Sequence, residues 1–196
     1  MLKIGITGGI GSGKTTVCKI FETLGIPVFY ADTVAKSIMV IDPLLIAGVK
    51  KAFGHLSYFP DDSLNNKHIA NIVFTNPEEL AKLNELVHPA VFRAFESWIG
   101  TVDNSAPYLL KEAALLFESG SYKMCDQSIL VIAPHELKLK RVMARDSVTA
   151  DLVTSRMDKQ FSDEQKSKIA DFILYNSESQ SVIAQVIDLH EQFLKN

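Results

Sequence analysis

Short apolar runs alternate along this chain with segments in which apolar residues repeat at helical spacing. The apolar runs predict β-strands at residues 2–7, 27–30, 106–110, 127–132 and 170–176. The segments between and after these runs carry apolar residues at i, i+3, i+4 and i+7, which predicts amphipathic helices. Strands that are apolar on both faces and alternate with helices form parallel sheets covered on both sides. We therefore predict the α/β class, with a five-stranded parallel sheet between two helical layers.

Residues 43–100 differ from this alternation because they carry helical periodicity and no strand. The helices predicted there span 43–53, 67–74, 77–87 and 90–99. We interpret this run as a helical insertion that binds a second substrate. The chain would then be one domain of residues 1–196, with an insertion at 43–100 and a helical hairpin at 134–168 that acts as a lid. The core of that domain would comprise residues 1–42, 101–133 and 169–196.

A glycine-rich stretch joins the first predicted strand to the first predicted helix. Residues 8–15 read G-x-x-x-x-G-K-T, the P-loop pattern. Glycines let consecutive backbone N–H groups surround an anion, and a helix N-terminus adds positive potential. The alternative is a glycine-rich turn that happens to end in Gly-Lys-Thr, but the flanking strand and helix favour the P-loop.

The motif predicts a three-layer P-loop NTPase fold with ATP and Mg²⁺ as ligands. Lys14 would contact the outer phosphates and the Thr15 hydroxyl would bind Mg²⁺. The predicted nucleotide-binding residues of the loop are Gly9, Ile10, Gly11, Ser12, Gly13, Lys14, Thr15 and Thr16.

Two carboxylates follow predicted strands, at the edge where α/β sheets bind ligands. Asp32 could accept the proton of an attacking hydroxyl or hold Mg²⁺ through water, and it could equally be a helix N-cap. Glu112 stands where P-loop proteins carry a carboxylate for Mg²⁺. The apolar loop that follows contains Leu116, Phe117 and Glu118, and it could either wall a pocket or cover the core.

Basic residues in the helical parts are further candidates. Arg141, Arg145 and Arg156 would be brought together by the hairpin, where they could neutralise transferring phosphates or pair with nearby aspartates. His88 precedes a proline, so we expect extended backbone there and a side chain aimed from a helix start. This histidine could be a ligand contact or a structural residue, and Arg93 taken alone is a solvated charge.

Composition narrows the class of function. The 196 residues are 47% hydrophobic and 22% charged, with a net charge of −3 and no Lys/Arg block, which argues against a nucleic-acid surface. No apolar run reaches the ~18 residues of a membrane span and the chain begins with a strand, so we expect no membrane association and a cytoplasmic location. Cys18 and Cys125 lack zinc spacing. The signature motifs of GTPases and of ABC-type ATPases are absent, which favours a small-molecule phosphotransferase.

The order and spacing of these residues resemble the dephospho-coenzyme A kinase family over nearly the whole chain. Ala114 departs from that pattern because the family often has Pro there, and residues 65–66 are Asn-Asn where the family often has Asp-Arg. The matching positions are residues 4–14, 31–32, 72–74, 88–89, 93, 115–118, 141, 145–146, 156, 160, 170–171 and 176.

The resemblance implies ATP-dependent phosphorylation of the ribose 3′-hydroxyl of dephospho-coenzyme A, which yields coenzyme A and ADP. It implies that Arg141 and Arg145 act from the lid and that Asn176 lies near adenine. The implied catalytic set is Lys14, Asp32, Arg141 and Arg145. The implied substrate-binding set is Asp32, His88, Arg93, Leu116, Phe117 and Glu118.

Two alternatives stay open at this point. One is a P-loop kinase for another small nucleotide or alcohol, and the other is a non-catalytic nucleotide-binding switch. We expect a small-molecule substrate, no nucleic-acid partner, and a monomer or weak homo-oligomer.

Overall fold

A five-stranded sheet, parallel throughout, organises the chain in the computed structural model, which describes residues 1–74 and 76–195. The strand order is β2-β3-β1-β4-β5, so the first strand lies at the centre. Its neighbours run parallel to it on both sides, with Gly5 opposite Lys111 on one side and Ser128 on the other. The predicted α/β class and five-stranded parallel sheet are confirmed. The strands are β1 (Leu2–Thr7), β2 (Val28–Tyr30), β3 (Tyr108–Glu112), β4 (Gln127–Ile132) and β5 (Phe172–Tyr175).

The strand bounds follow the apolar runs closely. The observed β1 and β4 coincide with their predicted ranges, whereas β3 begins at Tyr108, two residues later than predicted. Pro107 has no N–H group to donate to a ladder, and the Ala106 amide donates instead to the Asp103 carbonyl in a turn. As a result β3 runs to Glu112, and this carboxylate is the last residue of a buried strand.

Helices occupy most of the remaining described residues. They are α1 (Lys14–Thr23), α2 (Ala31–Ile41), α3 (Pro43–Phe53), α4 (Asn66–Val73), α5 (Pro77–Ile99), α6 (His135–Asp146), α7 (Ala150–Met157), α8 (Asp163–Ser167) and α9 (Val182–Phe193). No described helix is long and apolar enough to cross a membrane.

The helix α5 corrects the sequence prediction of two separate helices at 77–87 and 90–99. One continuous helix runs through Pro89, so His88 lies inside a helix and does not point from a helix start. An interior proline removes one helical hydrogen bond and costs roughly 3 kcal/mol. The helix continues because its next turn buries Val91 and Phe95, and burying one such side chain contributes roughly 1.5–3 kcal/mol.

The hairpin region also differs from its prediction. A hairpin of two helices was expected at 134–168, but α7 ends at Met157 and a third, short helix, α8, follows. Ser162 begins α8 with a capping box: its hydroxyl accepts from the Gln165 N–H, and the Gln165 side chain accepts from the Ser162 N–H. This reciprocal cap stops the preceding turn from continuing as helix.

The chain divides into two compact units, and the first contains the sheet. It comprises residues 1–30 and the chain from Val102 onward. Helices α1 and α9 pack on one sheet face, where Phe21 and Phe193 contact the fully buried Tyr108 edge-to-face. Cys18 of α1 is fully buried in this cluster.

The second unit is helical and spans Ala31–Thr101. Helices α2, α3 and α4 each pack against α5, and Phe95 of α5 is fully buried. The Tyr58 hydroxyl donates to the Met39 carbonyl over 2.7 Å, which ties the loop before α4 to α2. The sequence assigned α2 to the core and began the insertion at residue 43, whereas in the structure α2 belongs to the helical unit.

Candidate active site

The P-loop connects β1 to α1 in a conformation that needs glycine. Gly11 and Gly13 have φ of 79° and 94°, in the left-handed region that other residues avoid. Protein atoms also lie where side chains would stand. A Cβ atom on Gly11 would lie 2.5 Å from the Lys138 carbonyl oxygen, and one on Gly13 would overlap with Nδ2 of Asn176. The glycine pattern therefore reflects both the backbone angles and the close approach of neighbouring elements.

The loop has the features of an anion site. The Ser12 N–H donates to the Gly9 carbonyl and closes a turn, and α1 begins at Lys14 with no acidic residue in its first turn. The Ser12 hydroxyl oxygen is buried and has no hydrogen-bond partner among the described residues. A buried hydroxyl without a partner at a helix N-terminus suits a ligand that brings acceptor oxygens, as phosphate does.

Lys14 and Glu112 lie together beside the loop. The Lys14 ammonium donates to the Gly8 carbonyl over 3.0 Å and is 4.0 Å from Oε1 of Glu112. Both residues are buried, with 9% and 6% of their surface exposed. Burial strengthens the attraction between these charges and keeps the Lys14 stem in place. The prediction that Glu112 stands at the ligand edge of the sheet agrees with this geometry.

The residues also fit a magnesium ion. Thr15 is exposed in the first turn of α1, and Glu112 ends the neighbouring strand β3. No group of three or more His, Cys, Asp or Glu side chains within residues 1–74 and 76–195 is arranged to hold a metal. Magnesium usually keeps several waters and binds through one or two protein groups plus phosphate oxygens, so a hydroxyl and one carboxylate are a suitable protein contribution. Their role as ligands stays a prediction.

Asn176, predicted to lie near adenine, has a second role that the sequence did not indicate. Its Nδ2 donates to the Ser12 carbonyl over 2.8 Å, and its Oδ1 accepts from Nη2 of Arg141 over 3.3 Å. Its own N–H donates to the Ile132 carbonyl over 2.7 Å. Asn176 therefore links the ends of β4 and β5 to the P-loop and to α6.

The three hairpin arginines divide into two groups. Arg141 donates to the Gly11 carbonyl over 3.4 Å and so contacts the P-loop. Arg145 and Arg156 instead share the carboxylate of Asp146, at 2.7 and 3.0 Å. The hydrogen bonds from Arg145, and then its charge and that of Arg156, lower the pKa of Asp146, which is half-buried. Pairing with an aspartate was the alternative left open by the sequence, and it describes Arg145 and Arg156 in this structure.

The loop after β3 covers the core. Leu116 is fully buried and Phe117 is 5% exposed, so the side chain of Leu116 has no surface to offer a ligand. The Glu118 carboxylate accepts from the Phe161 N–H over 2.9 Å and pairs with the Lys166 ammonium at 3.1 Å. Of the two readings of this loop, the core-covering one matches these side chains, and their substrate-binding role stays a prediction.

The helical unit contains the three remaining predicted residues. Asp32 is exposed in the first turn of α2, as the second residue of that helix. Arg93 donates to Asp42 over 2.7 Å, and the other oxygen of that carboxylate caps α3 by accepting from Leu44 and Leu45. His88 is half-buried in α5, and burial lowers its pKa, which favours a neutral imidazole at pH 7.

Three described residues of the site were given no role from the sequence. Lys138 pairs with Asp163, and Gln160 accepts a hydrogen bond from the Ile10 N–H over 2.9 Å. Their partners are distant in sequence, and neither apolar periodicity nor a short motif indicates such pairs.

Comparison with known proteins agrees with the motif-based resemblance. The family model described as "Dephospho-CoA kinase" matches residues 2–181. A dephospho-CoA kinase of Salinibacter ruber is 42% identical over 177 residues, covering 90% of this chain and 89% of that protein. A crystal structure from Thermus thermophilus superposes with a TM-score of 0.86 at 32% identity, covering 98% of this chain and 97% of the other. A dephospho-CoA kinase from Campylobacter jejuni superposes with a TM-score of 0.70 at 29% identity, again covering 98% and 97%. With a matching family model over most of its length and a P-loop of the geometry described above, this chain belongs to the dephospho-CoA kinase family.

Proposed function

We propose that this protein transfers the γ-phosphoryl group of ATP to the ribose 3′-hydroxyl of dephospho-coenzyme A, which gives coenzyme A and ADP. The observation that carries the proposal is the P-loop of a family member: left-handed glycines, a buried Ser12 hydroxyl without a partner, and Lys14 held between Gly8 and Glu112. Each of these features suits the polyphosphate of a nucleotide.

The P-loop and α6 would bind ATP, the phosphoryl donor. Backbone N–H groups from Gly11 to Thr16 would hold the β- and γ-phosphates, and Lys14 would neutralise charge on the group being transferred. Bound Mg²⁺, held by Thr15 and Glu112, would neutralise further phosphate charge. Arg141 contacts the loop at the Gly11 carbonyl, which places its guanidinium beside the proposed phosphate site.

The acceptor side rests on the family resemblance. A lone pair on the 3′-oxygen forms a bond to the γ-phosphorus while the bond from that phosphorus to the β–γ bridging oxygen breaks and its electrons leave with ADP. The hydroxyl proton passes to the carboxylate of Asp32 and then to solvent. His88 and Arg93 would bind the acceptor, and a neutral imidazole at position 88 could donate or accept a hydrogen bond.

An acceptor screen tests this proposal. Purified protein is incubated with ATP, Mg²⁺ and one acceptor at a time, and ADP release is followed by a coupled assay. Dephospho-coenzyme A should stimulate turnover far more than adenosine monophosphate, pantetheine phosphate or shikimate, and the product should be phosphorylated at the 3′ position by mass spectrometry and NMR.

The screen distinguishes the two alternatives. Preference for another nucleotide or alcohol would replace the acceptor but keep the kinase assignment. Nucleotide binding without any acceptor-stimulated turnover would favour a non-catalytic switch. Lys14→Ala is the control for contaminating kinases, because activity that survives this substitution does not come from the P-loop.

A further inference from the structure

The outer rim of the P-loop, residues 9–11, is contacted by three side chains from the predicted lid. Lys138 of α6 and Asp163 of α8 form an ion pair at 2.7 Å. Both charged groups stand over Gly9, since a Cβ atom placed there would lie 3.5 Å from the Lys138 ammonium and 3.5 Å from the nearer Asp163 oxygen. The third side chain, Gln160, accepts the Ile10 N–H over 2.9 Å. We call Lys138, Gln160 and Asp163 the rim brace.

The segment that carries Gln160 and Asp163 is anchored at its other end. Lys166 is fully buried, and its ammonium pairs with Glu118 at 3.1 Å and donates to the Ala114 carbonyl over 3.3 Å. The same Ala114 carbonyl accepts from the Thr7 hydroxyl at the end of β1. Residues 158–168 are therefore joined both to the loop after β3 and to the rim, while Arg145 and Arg156 have their own partner in Asp146.

The brace contacts the loop at its outer rim. Gln160 accepts from the N–H of Ile10, which precedes the residues from Gly11 to Thr16 assigned above to the β- and γ-phosphates. The backbone of Lys138 packs on Gly11, and its side chain, in a residue only 9% exposed, extends along Gly9 to Asp163. Together these contacts limit the movement of the rim before a nucleotide arrives.

We propose that the rim brace is a set of positioning residues that holds the P-loop in its nucleotide-binding shape, with the Lys138–Asp163 pair as its electrostatic element. This proposal rests on ATP binding at the P-loop in the function proposed above. It predicts an asymmetry between the two members of the pair, because removing the lysine leaves an uncompensated carboxylate beside incoming phosphates, whereas removing the aspartate leaves a cation.

The test compares ATP binding in the full-length protein and its single substitutions. Isothermal titration calorimetry with ATP and Mg²⁺, without acceptor, measures Kd, and steady-state kinetics separate KM for ATP from KM for dephospho-coenzyme A. We expect K138M to raise the Kd for ATP by roughly 10-fold and D163N by roughly 2- to 3-fold, since a carboxylate left without its cation repels the phosphates of ATP whereas a lysine left without its carboxylate attracts them. The double variant K138M/D163L should bind ATP more tightly than K138M, because it removes the unpaired carboxylate.

Two matched controls separate the brace from general effects. Lys140 lies on the same helix and is exposed, so K140M makes the same change in net charge away from the rim and should leave the Kd for ATP unchanged. K138R keeps the cation and should bind ATP as the unsubstituted protein does. Q160L should raise KM for ATP and leave KM for the acceptor unchanged, because the Gln160 side chain contacts the P-loop at Ile10.

Three results would overturn the proposal: a Kd for ATP in K138M equal to that in K140M, a double variant no better than K138M, or a rise in KM for the acceptor as large as that for ATP. If K138M does not fold, as judged by circular dichroism, D163N and Q160L against K140M decide the question in the same assays. Because the calorimetry omits the acceptor, the brace can fail while the kinase reaction stands. A wrong acceptor likewise leaves the ATP measurements valid.

Discussion

Replacing Gly13 by alanine tests how the P-loop is held by the rest of the first unit. The new methyl group would meet two obstacles: a backbone at φ 94° and the side-chain nitrogen of Asn176. That nitrogen is hydrogen-bonded to the Ser12 carbonyl, and the side-chain oxygen accepts from Arg141. The methyl group can be accommodated only if Asn176 moves and loses these contacts.

The size of the effect can be worked from these two parts. A left-handed conformation costs an alanine about 1–2 kcal/mol relative to glycine. Displacing Asn176 removes two hydrogen bonds, each worth about 0.5–1.5 kcal/mol. We therefore expect Gly13→Ala to reduce the free energy of unfolding by about 2–5 kcal/mol, which for a chain of this length lowers Tm by roughly 4–20 °C.

Gly25→Ala is the matched control. Gly25 has φ of 79°, and no atom lies within 4 Å of the position of its Cβ atom, so only the conformational part of the cost applies. Urea unfolding without nucleotide, followed by circular dichroism, should give a loss of about 1–2 kcal/mol for this variant. The difference between the two variants then measures the contact with Asn176.

A double variant provides the decisive comparison. In an Asn176→Ala background the obstructing amide is absent, so adding Gly13→Ala should cost only about what Gly25→Ala costs. If Gly13→Ala costs the same in both backgrounds, or no more than Gly25→Ala in the unsubstituted protein, the reasoning that Asn176 positions the loop is wrong.

Three further predictions concern catalysis and pH. Lys14→Ala and Asp32→Asn should each lower kcat by roughly 100-fold or more, because both groups act on the transferring phosphoryl group. Tm should change little in Asp32→Asn, because Asp32 is exposed, and should fall in Lys14→Ala, which leaves the buried Glu112 carboxylate without this cation. Near-normal phosphoryl transfer in a single turnover by Asp32→Asn would remove Asp32 from that role. Arg93→Ala should raise KM for dephospho-coenzyme A more than KM for ATP. Asp42→Asn removes the charged partner of Arg93 but keeps the cation, so it should change both KM values little. Equal rises of the two KM values in Arg93→Ala would place Arg93 outside the acceptor site. Burial lowers the pKa of His88 in the folded protein, so the unfolded chain binds the proton first as pH falls below about 6.5; the free energy of unfolding is therefore retained above that pH and decreases below it. Urea unfolding between pH 5 and 8 should show a steeper acid decrease in the free energy of unfolding for the unsubstituted protein than for His88→Asn. Parallel curves for the two proteins would contradict the burial argument.

The sheet and the P-loop were predictable from sequence because each depends on local signals. Strands such as Gln127–Ile132 carry a continuous apolar run, here residues 129–132, which is expected of a strand covered on both faces. The loop motif combines glycines, a lysine and a helix start within a few residues, so its spacing alone indicates phosphate binding. Family membership followed from the order of such local motifs along the chain, and the comparisons confirm it.

The predicted helix boundaries were wrong where tertiary packing outweighed local sequence preference. Pro89 predicted a break between two helices, but the turn that follows it buries Val91 and Phe95 on one continuous helix. The short helix α8 escaped notice because five residues are too few for apolar periodicity, and only its cap at Ser162 marks it. A capping box read from Ser162 to Gln165 could have located this helix.

Side-chain partners across the fold were beyond sequence reasoning for a simpler reason. Asn176 and Ser12 are 164 positions apart, and Lys138 and Asp163 lie on separate helices. A single sequence carries no information about such pairs, and Asn, Ser, Lys and Asp are all common on solvated surfaces. Of the candidate residues, only their placement could be compared with the structure, and their catalytic and binding roles remain predictions.

The glycines of the P-loop are commonly understood through the ligand, since a side chain would hinder the approach of phosphate. In this protein the positions that side chains would take at Gly11 and Gly13 are filled by protein atoms, the Lys138 carbonyl and the Asn176 amide. These atoms contact the loop independently of any nucleotide. The Lys138 carbonyl belongs to helix α6, and Asn176 directly follows strand β5 of the sheet. The loop is therefore shaped by its surroundings before ATP binds, which reduces the conformational entropy that binding must overcome. Substitutions that loosen these surroundings should weaken nucleotide binding even where they touch no phosphate, and this is the behaviour that distinguishes a preorganised loop from one that closes around its ligand.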